Sequence, residues 1–142
     1  MCIRFSAGTF SVSADNNLGA APGSVTTGKL TLNGGTLQST ADITLNSNRG
    51  IALGGSNGTI NVDDASRTLT YGGIIAGSNN LTKAGDGILI LGGVNTYSGT
   101  TTISAGTISF SADSGLGASP GSATTGKLTL NGGILKPCLL YT

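Results

Sequence analysis

Residues Ser6–Leu37, SAGTFSVSADNNLGAAPGSVTTGKLTLNGGTL, recur at Ser104–Leu135 as SAGTISFSADSGLGASPGSATTGKLTLNGGIL. The offset is 98 residues, and 25 of the 32 aligned positions are identical. Self-similarity of this kind points to a stacked array rather than a closed globule. Inside each copy the KLTL segment places leucine at every second position with threonine between. That is the period of a half-buried strand. Asn-Gly-Gly follows directly, a turn signal.

The same pattern continues between the copies with different residues. Short alternating segments run over Lys29–Leu32, Ile43–Leu45, Thr59–Val62, Thr68–Tyr71, Ile88–Leu91, Thr101–Ile103 and Thr107–Phe110. Gly54-Gly55, Asn57-Gly58, Gly72-Gly73 and Gly92-Gly93 punctuate the gaps. Gly, Thr, Ser and Asn supply 72 of the 142 residues, and the six acids are all Asp. Good helix formers are nearly absent, so the chain reads as all-β. Sandwich, barrel and solenoid all satisfy the alternation. The repeat favours a parallel solenoid, in which each short strand buries its apolar face on the equivalent strand one coil away. Coils of roughly 20–25 residues would give five or six turns. Leu, Ile, Val and Phe are expected to form inward ladders, with Thr and Ser facing water.

Composition also excludes functions. A net charge of +1 with scattered cations offers no basic stripe for nucleic acid. The chain has no His, the commonest general base and metal ligand. No apolar run approaches the roughly 20 residues of a membrane helix. No cofactor or metal site is expected.

Leu81–Ser109 reads LTKAGDGILILGGVNTYSGTTTISAGTIS. It resembles the autotransporter-associated β-strand repeat of Gram-negative passenger domains. The matching positions are Leu81, Thr82, Lys83, Gly85, Gly87, Leu89, Leu91, Gly93, Asn95, Thr96, Tyr97, Gly99, Thr101, Ile103, Gly106 and Thr107. Of these, Leu81, Lys83, Gly85, Gly87, Asn95, Tyr97, Gly99 and Gly106 are taken as the structural signature. The stretch Gly58–Asn80 is similar to the coil that commonly precedes the motif. The resemblance implies a right-handed parallel β-helix of about five to six coils, shown at or released from the cell surface. It implies two partners on the full-length chain, flanking β-helix coils and an outer-membrane β-barrel. Host or biofilm glycans are candidate weak ligands of the Thr/Ser faces. The function so implied is a non-enzymatic, adhesin-like stalk; the alternative is a β-helical polysaccharide-degrading enzyme. In this chain Ile88 and Ile90 replace the family's outward threonines. They form either a small apolar patch, a possible site of self-association, or a pair covered by a loop.

Several motifs invite chemistry and fail on their surroundings. Gly23–Lys29 and Gly121–Lys127 spell GxxxxGK, but Leu30 and Leu128 follow where a P-loop needs Ser or Thr, and KLTL is a strand. Asp63-Asp64 is the one carboxylate pair and the site the enzyme alternative would need. Neighbours on a strand point to opposite faces, so the pair is expected in a turn before Arg67. Asp86 in Ala-Gly-Asp-Gly lacks the several further oxygens of a calcium site and reads as a turn. Asn95 is expected to bond turn amides. Tyr97 is expected to lay its ring over a neighbouring coil with its hydroxyl outward. Asn57-Gly-Thr and Asn80-Leu-Thr spell glycosylation sequons, coincidental in a bacterial protein.

Cys2 and Cys138 are the only cysteines. One reading is a disulfide joining the ends. The other is favoured: Cys138–Thr142 is what TGT-CTC-TTA-TAC-ACA encodes and Met1–Arg4 what ATG-TGT-ATA-AGA encodes. The two are reverse complements over TCTTATACACA and resemble a transposase sequencing adapter, although that adapter would place Asp, not Phe5, after Arg4. Residues 1–4 and 137–142 are therefore expected to be adapter-derived. Residues 5–136, with the repeat 6–37 and 104–135, are expected to be the β-helix passenger portion.

Overall fold

An alternating chain with frequent turns can satisfy its strands by pairing across coils. The computed structural model, which describes residues 2–138, shows that arrangement. Its strands are β1 (Ile3–Phe5), β2 (Thr9–Val12), β3 (Thr26–Leu32), β4 (Thr36–Ser39), β5 (Ile43–Leu45), β6 (Arg49–Leu53), β7 (Gly58–Val62) and β8 (Thr68–Tyr71). They continue as β9 (Ile75–Gly77), β10 (Leu81–Ala84), β11 (Ile88–Leu91), β12 (Thr101–Ile103), β13 (Thr107–Phe110), β14 (Leu128–Leu130) and β15 (Ile134–Pro137).

They build three parallel sheets, in the orders β1-β3-β6-β9, β14-β12-β10-β7-β4-β2 and β15-β13-β11-β8-β5. The chain visits the three faces in turn and climbs one coil per circuit, a parallel β-solenoid of about six turns. Two 3-10 turns, Asp15–Leu18 and Asp113–Leu116, stand where a strand would otherwise lie.

Registers give the coil lengths. Ile88 lies beside Thr107, a coil of 19 residues, whereas Thr9 lies beside Thr36, a coil of 27. The 27-residue coils carry a 3-10 turn and a Pro-Gly loop after it, and the coil from Ile43 to Leu69, without that insertion, is 26 residues long, so the expected 20–25 range is exceeded in both.

The core is a set of stacked rungs rather than a central cluster. Ile43, Leu69, Leu89 and Ile108 form one column, and Leu30, Ile51 and Ile75 another. All seven are buried. With both faces of each coil's ring closed by neighbours, apolar area leaves water at about 25 cal/mol per Å². Three inward rungs depart from the aliphatic expectation: Ser39 stands between Val12 and Val62, Lys83 between Ile60 and Ile103, and Thr101 between Leu81 and Leu128.

Ile88 and Ile90 are half-buried on an outward face, flanked by Thr68 and Thr107 and by Thr70 and Ser109. Cys2 and Cys138 are exposed and free. Cys2 precedes the first coil and Cys138 donates its N–H to Phe110 O in the last. Coils about 4.8 Å apart separate them far beyond the 4.4–6.8 Å between Cα atoms that a disulfide requires. The end-to-end disulfide reading is thus overturned. Ile3 and Arg4 run in register with Leu30 and Thr31 as part of β1. Met1 and residues 139–142 lie outside the described residues.

Candidate functional site

The segment from Leu81 to Phe110, which runs through one coil into the next, concentrates the buried polar groups. Leu81 opens β10 between Gly58 and Thr101 and is fully buried. Two residues later Lys83 points inward and is also fully buried. A buried ammonium must find acceptors. Its Nζ donates to Ala84 O at 2.8 Å, to Gly85 O at 2.7 Å and to Ala105 O at 3.4 Å. Burial lowers its pKa to about 8, and the Asp86 carboxylate in the exposed turn works in the opposite direction. Lys83 therefore holds the turn of its own coil and the turn of the next coil from inside.

The glycines of this corner are dictated by approach. Gly85 has φ +73°, and a Cβ there would collide with Asn61 Oδ1 and Val62 O of the coil before. Gly106 (φ +64°) stands one coil later, where a Cβ would collide with Gly85 O and Gly87 O. Gly87 links both neighbours, donating to Val62 O at 3.0 Å and accepting from Thr107 N–H at 3.1 Å. Gly99 packs on the Asn79 carbonyl.

Asn95 and Tyr97 take the place of a strand on the third face. Asn95 is 2% exposed. Its Oδ1 accepts from Ile75 N–H at 2.8 Å, and its Nδ2 donates to Gly115 O at 2.7 Å. These partners lie in the coils before and after, so the side chain bonds across coils and not within its own turn as expected. The Tyr97 hydroxyl also differs from expectation: it points inward. The residue is fully buried, and Oη lies 2.6 Å from Thr101 Oγ1, which reaches Leu116 O at 3.2 Å. Burial raises the Tyr97 pKa, against the smaller opposing effect of the Thr101 hydrogen bond.

Sequence reasoning missed a second constellation. Arg49 is 5% exposed. Its Nε lies 2.8 Å from Asp15 Oδ1 and its Nη2 3.0 Å from Oδ2, while Nη1 donates to Leu18 O at 3.0 Å and Nη2 to Gly19 O at 2.5 Å. Burial raises the Asp15 pKa, but the hydrogen bonds from Arg49 and from Asn46 N–H outweigh it and hold the carboxyl below its ordinary range. The partners are 34 residues apart, and no local motif announces them. Also missed was a corner ladder, in which Asn57 Oδ1 accepts from Asn80 N–H at 3.2 Å and Asn80 Oδ1 from Thr100 N–H at 2.8 Å. The two sequon asparagines are thus engaged between coils. The Tyr71 hydroxyl, buried, donates to Arg49 O at 2.7 Å.

The candidates for chemistry are not brought together. Asp63 pairs with Arg67 at 2.6 Å, and Asp64 accepts from Ser66 N–H and Oγ in the expected turn. Asp86 is exposed in its turn. Lys29 lies within β3, and Lys127 Nζ donates to Ser98 O and to Gly99 O at 3.0 Å, so neither GxxxxGK stretch forms a phosphate loop facing a helix. Among the described residues no three of His, Cys, Asp and Glu converge as metal ligands.

A parallel solenoid whose coils are joined by inward Lys, Asn and Tyr contacts is a structural repeat protein. Residues 81–110 match the passenger-associated-transport-repeat family. Over 79 residues, 56% of the chain, it is 43% identical to the adhesin BmaC autotransporter of Brucella suis biovar 1 (strain 1330). The chain spans only 2% of the length of that protein. No solved structure matches it.

Proposed function

We propose that this chain is a stalk segment of a surface-exposed or secreted, adhesin-like passenger of a Gram-negative autotransporter. In this reading it has no catalysis of its own and is joined through flanking coils to an outer-membrane β-barrel. The observation that carries the reading is the stack itself: Lys83, Gly87 and Asn95 each bond to a neighbouring coil. Six coils about 4.8 Å apart make a segment about 29 Å long. Leu81, Lys83, Gly85, Gly87, Asn95, Tyr97, Gly99 and Gly106 serve as its structural signature. Thr/Ser faces are the surfaces on which weak glycan contact would occur. Residues 5–136 are the passenger portion, and residues 1–4 and 137–142 derive from adapter; long-read sequencing across both ends tests that division.

The stalk reading is tested by placing one, two or three tandem copies between a signal peptide and an outer-membrane barrel. The distance of a terminal epitope from the membrane is then measured by fluorescence energy transfer or electron microscopy. The expected result is surface display with about 30 Å added per copy. Retention in the periplasm, or a distance that does not grow with copy number, would overturn the proposal.

A further inference from the structure

The three faces of the solenoid differ in what they turn outward. On the sheet β14-β12-β10-β7-β4-β2 one outward position is threonine in every coil: Thr9, Thr36, Thr59, Thr82, Thr102 and Thr129 stand in direct register. Their chain neighbours fix the direction, because Leu37, Ile60, Leu81, Lys83 and Ile103 are buried on the inside. The other two faces hold no such column. Across β3, β6 and β9 the outward residues are Thr31, Ala52 and Ala76, and across β8, β11 and β13 they are Thr70, Ile90 and Ser109. Thr36, Thr59, Thr82 and Thr102 lie on the flank of interior coils, so their half-buried, outward setting does not depend on either end of the stack.

Threonine pairs across strands favour a sheet, but the Ala and Ile of the other faces serve the same backbone. What the column adds is hydroxyl groups. Threonines elsewhere engage theirs within the chain: Thr40 Oγ1 donates to Val12 O and Thr101 Oγ1 to Leu116 O. Among the described residues the six hydroxyls of the column have no partner in the chain, so all of them are left to the surface. A second outward column beside the first carries Ser11, Gln38, Asn61 and Ala84. Neither column contains a charged or an aromatic side chain.

We infer that this face binds a neutral, unbranched glycan chain lying along the axis, with about one sugar over each coil. The chemistry of the partner follows from what the face offers. Without cations it has nothing to hold phosphate, sulfate or uronate groups. Without Trp, Tyr, Met or Arg it has none of the anchors on which a protein interface depends. Regularly spaced neutral donors and acceptors remain, backed by threonine methyls, and a neutral sugar presents the same mixture of hydroxyl and C–H groups. Coils about 4.8 Å apart set the step of the column, and an extended, equatorially linked glycan advances by nearly the same step per sugar. The inference rests on the adhesin-like reading above and makes it specific, assigning the face and the kind of glycan.

The probes are cello-oligosaccharides of two to eight sugars, titrated into the ¹⁵N-labelled chain. Amide shifts should centre on Thr36, Thr59, Thr82 and Thr102. Affinity should rise about threefold with each added sugar and level off near six, the number of strands on this face. Thr59→Val combined with Thr82→Val keeps side-chain shape and strand preference but removes two hydroxyls, and should weaken the six-sugar probe about tenfold. Malto-oligosaccharides, the same sugar in a coiled chain, and uronate oligomers of equal length should bind at least tenfold more weakly. No saturable shift, affinity that ignores chain length, equal binding of the malto or uronate series, or undiminished binding by T59V/T82V would each overturn the proposal. Self-association in sedimentation that disappears in T59V/T82V would overturn it too, marking the face as a surface between copies. Should the double variant fail to fold, the length series and the malto comparison on the unmodified chain decide the matter. The double variant should leave surface display and the distance added per tandem copy unchanged, so a failure of this inference and a failure of the stalk reading are read separately.

Discussion

Replacing Asn95 by alanine removes a side chain that joins three coils. Its Oδ1 accepts from Ile75 N–H at 2.8 Å and its Nδ2 donates to Gly115 O at 2.7 Å, both in a buried setting. Truncation leaves one backbone donor and one backbone acceptor without partners. Each such orphan costs about 1–3 kcal/mol, and partial entry of water places the expected total near 3 kcal/mol. In a stacked array the loss is felt first between adjacent coils. Hydrogen exchange at the Ile75 amide is therefore a sharper readout than global unfolding. A loss of about 3 kcal/mol corresponds to exchange roughly 100-fold faster. Asn95→Asp adds a sign test. At neutral pH the carboxylate keeps the Ile75 acceptor but sets an anion against Gly115 O. Burial without a donor raises that carboxyl's pKa, so its deficit relative to wild type should shrink as pH falls through the raised value. Unchanged Ile75 exchange in N95A, or an N95D deficit that grows toward acid pH, would refute the clamp.

Three further outcomes follow from the buried charges and the tight corner. The Lys83 pKa is lowered to about 8 from 10.5. The unfolded chain then holds the proton more firmly between those values, and this group's contribution to stability rises as pH climbs from about 8 to about 10.5. Lys83→Met should abolish that rise in urea titrations run at both ends of the window, and an identical pH profile would count against it. Asp15 is held below 3.8, so its stabilisation is present above 3.8 and fades as pH drops through the folded value. Arg49→Gln should flatten this acid limb and lower stability by about 3 kcal/mol at pH 7, as breaking a buried pair does; a loss under 1 kcal/mol would be inconsistent. Gly106→Ala combines a φ of +64° with a Cβ driven into Gly85 O. It should cost more than about 1 kcal/mol by thermal melting, and a neutral result would show that the corner can relax.

The strands were legible because their information is local. Leu30 and Leu32 in KLTL, Leu69 and Tyr71 in TLTY, and Leu89 and Leu91 in ILIL alternate within four residues, and all six point inward. What escaped is non-local. Asn95 has partners 20 residues away on either side, so its spelling suggested only the bonding of its own turn. The Tyr97 hydroxyl turns inward because Thr101, four residues on, occupies an inward rung that alternation alone would give to an aliphatic residue. Lys83 entered the reading through its motif, while its burial among Ile60 and Ile103 depends on carbonyls supplied by two successive turns. Arg49 carried no local signal at all. In a solenoid the residues that decide inter-coil geometry find their partners one coil length away, and that length varies from 19 to 27 here.

That variation has a consequence for the repeat itself. KLTL of the first copy lies in β3, in the sheet β1-β3-β6-β9, whereas KLTL of the second gives β14, in the sheet that contains β2 and β4. Likewise β4 and β15, which are equivalent in sequence, belong to different sheets. The copies are thus separated by four full circuits and one additional face. The same segment folds on either face because each face asks of it the same things: two inward leucines, outward threonines and a glycine turn. The Pro-Gly loops after the two 3-10 turns consequently leave the stack from different corners. A duplication that advanced by whole circuits would align its insertions along one side. This one distributes them around the axis, because the alternation of the rungs is set by the period of two and not by position on the circuit.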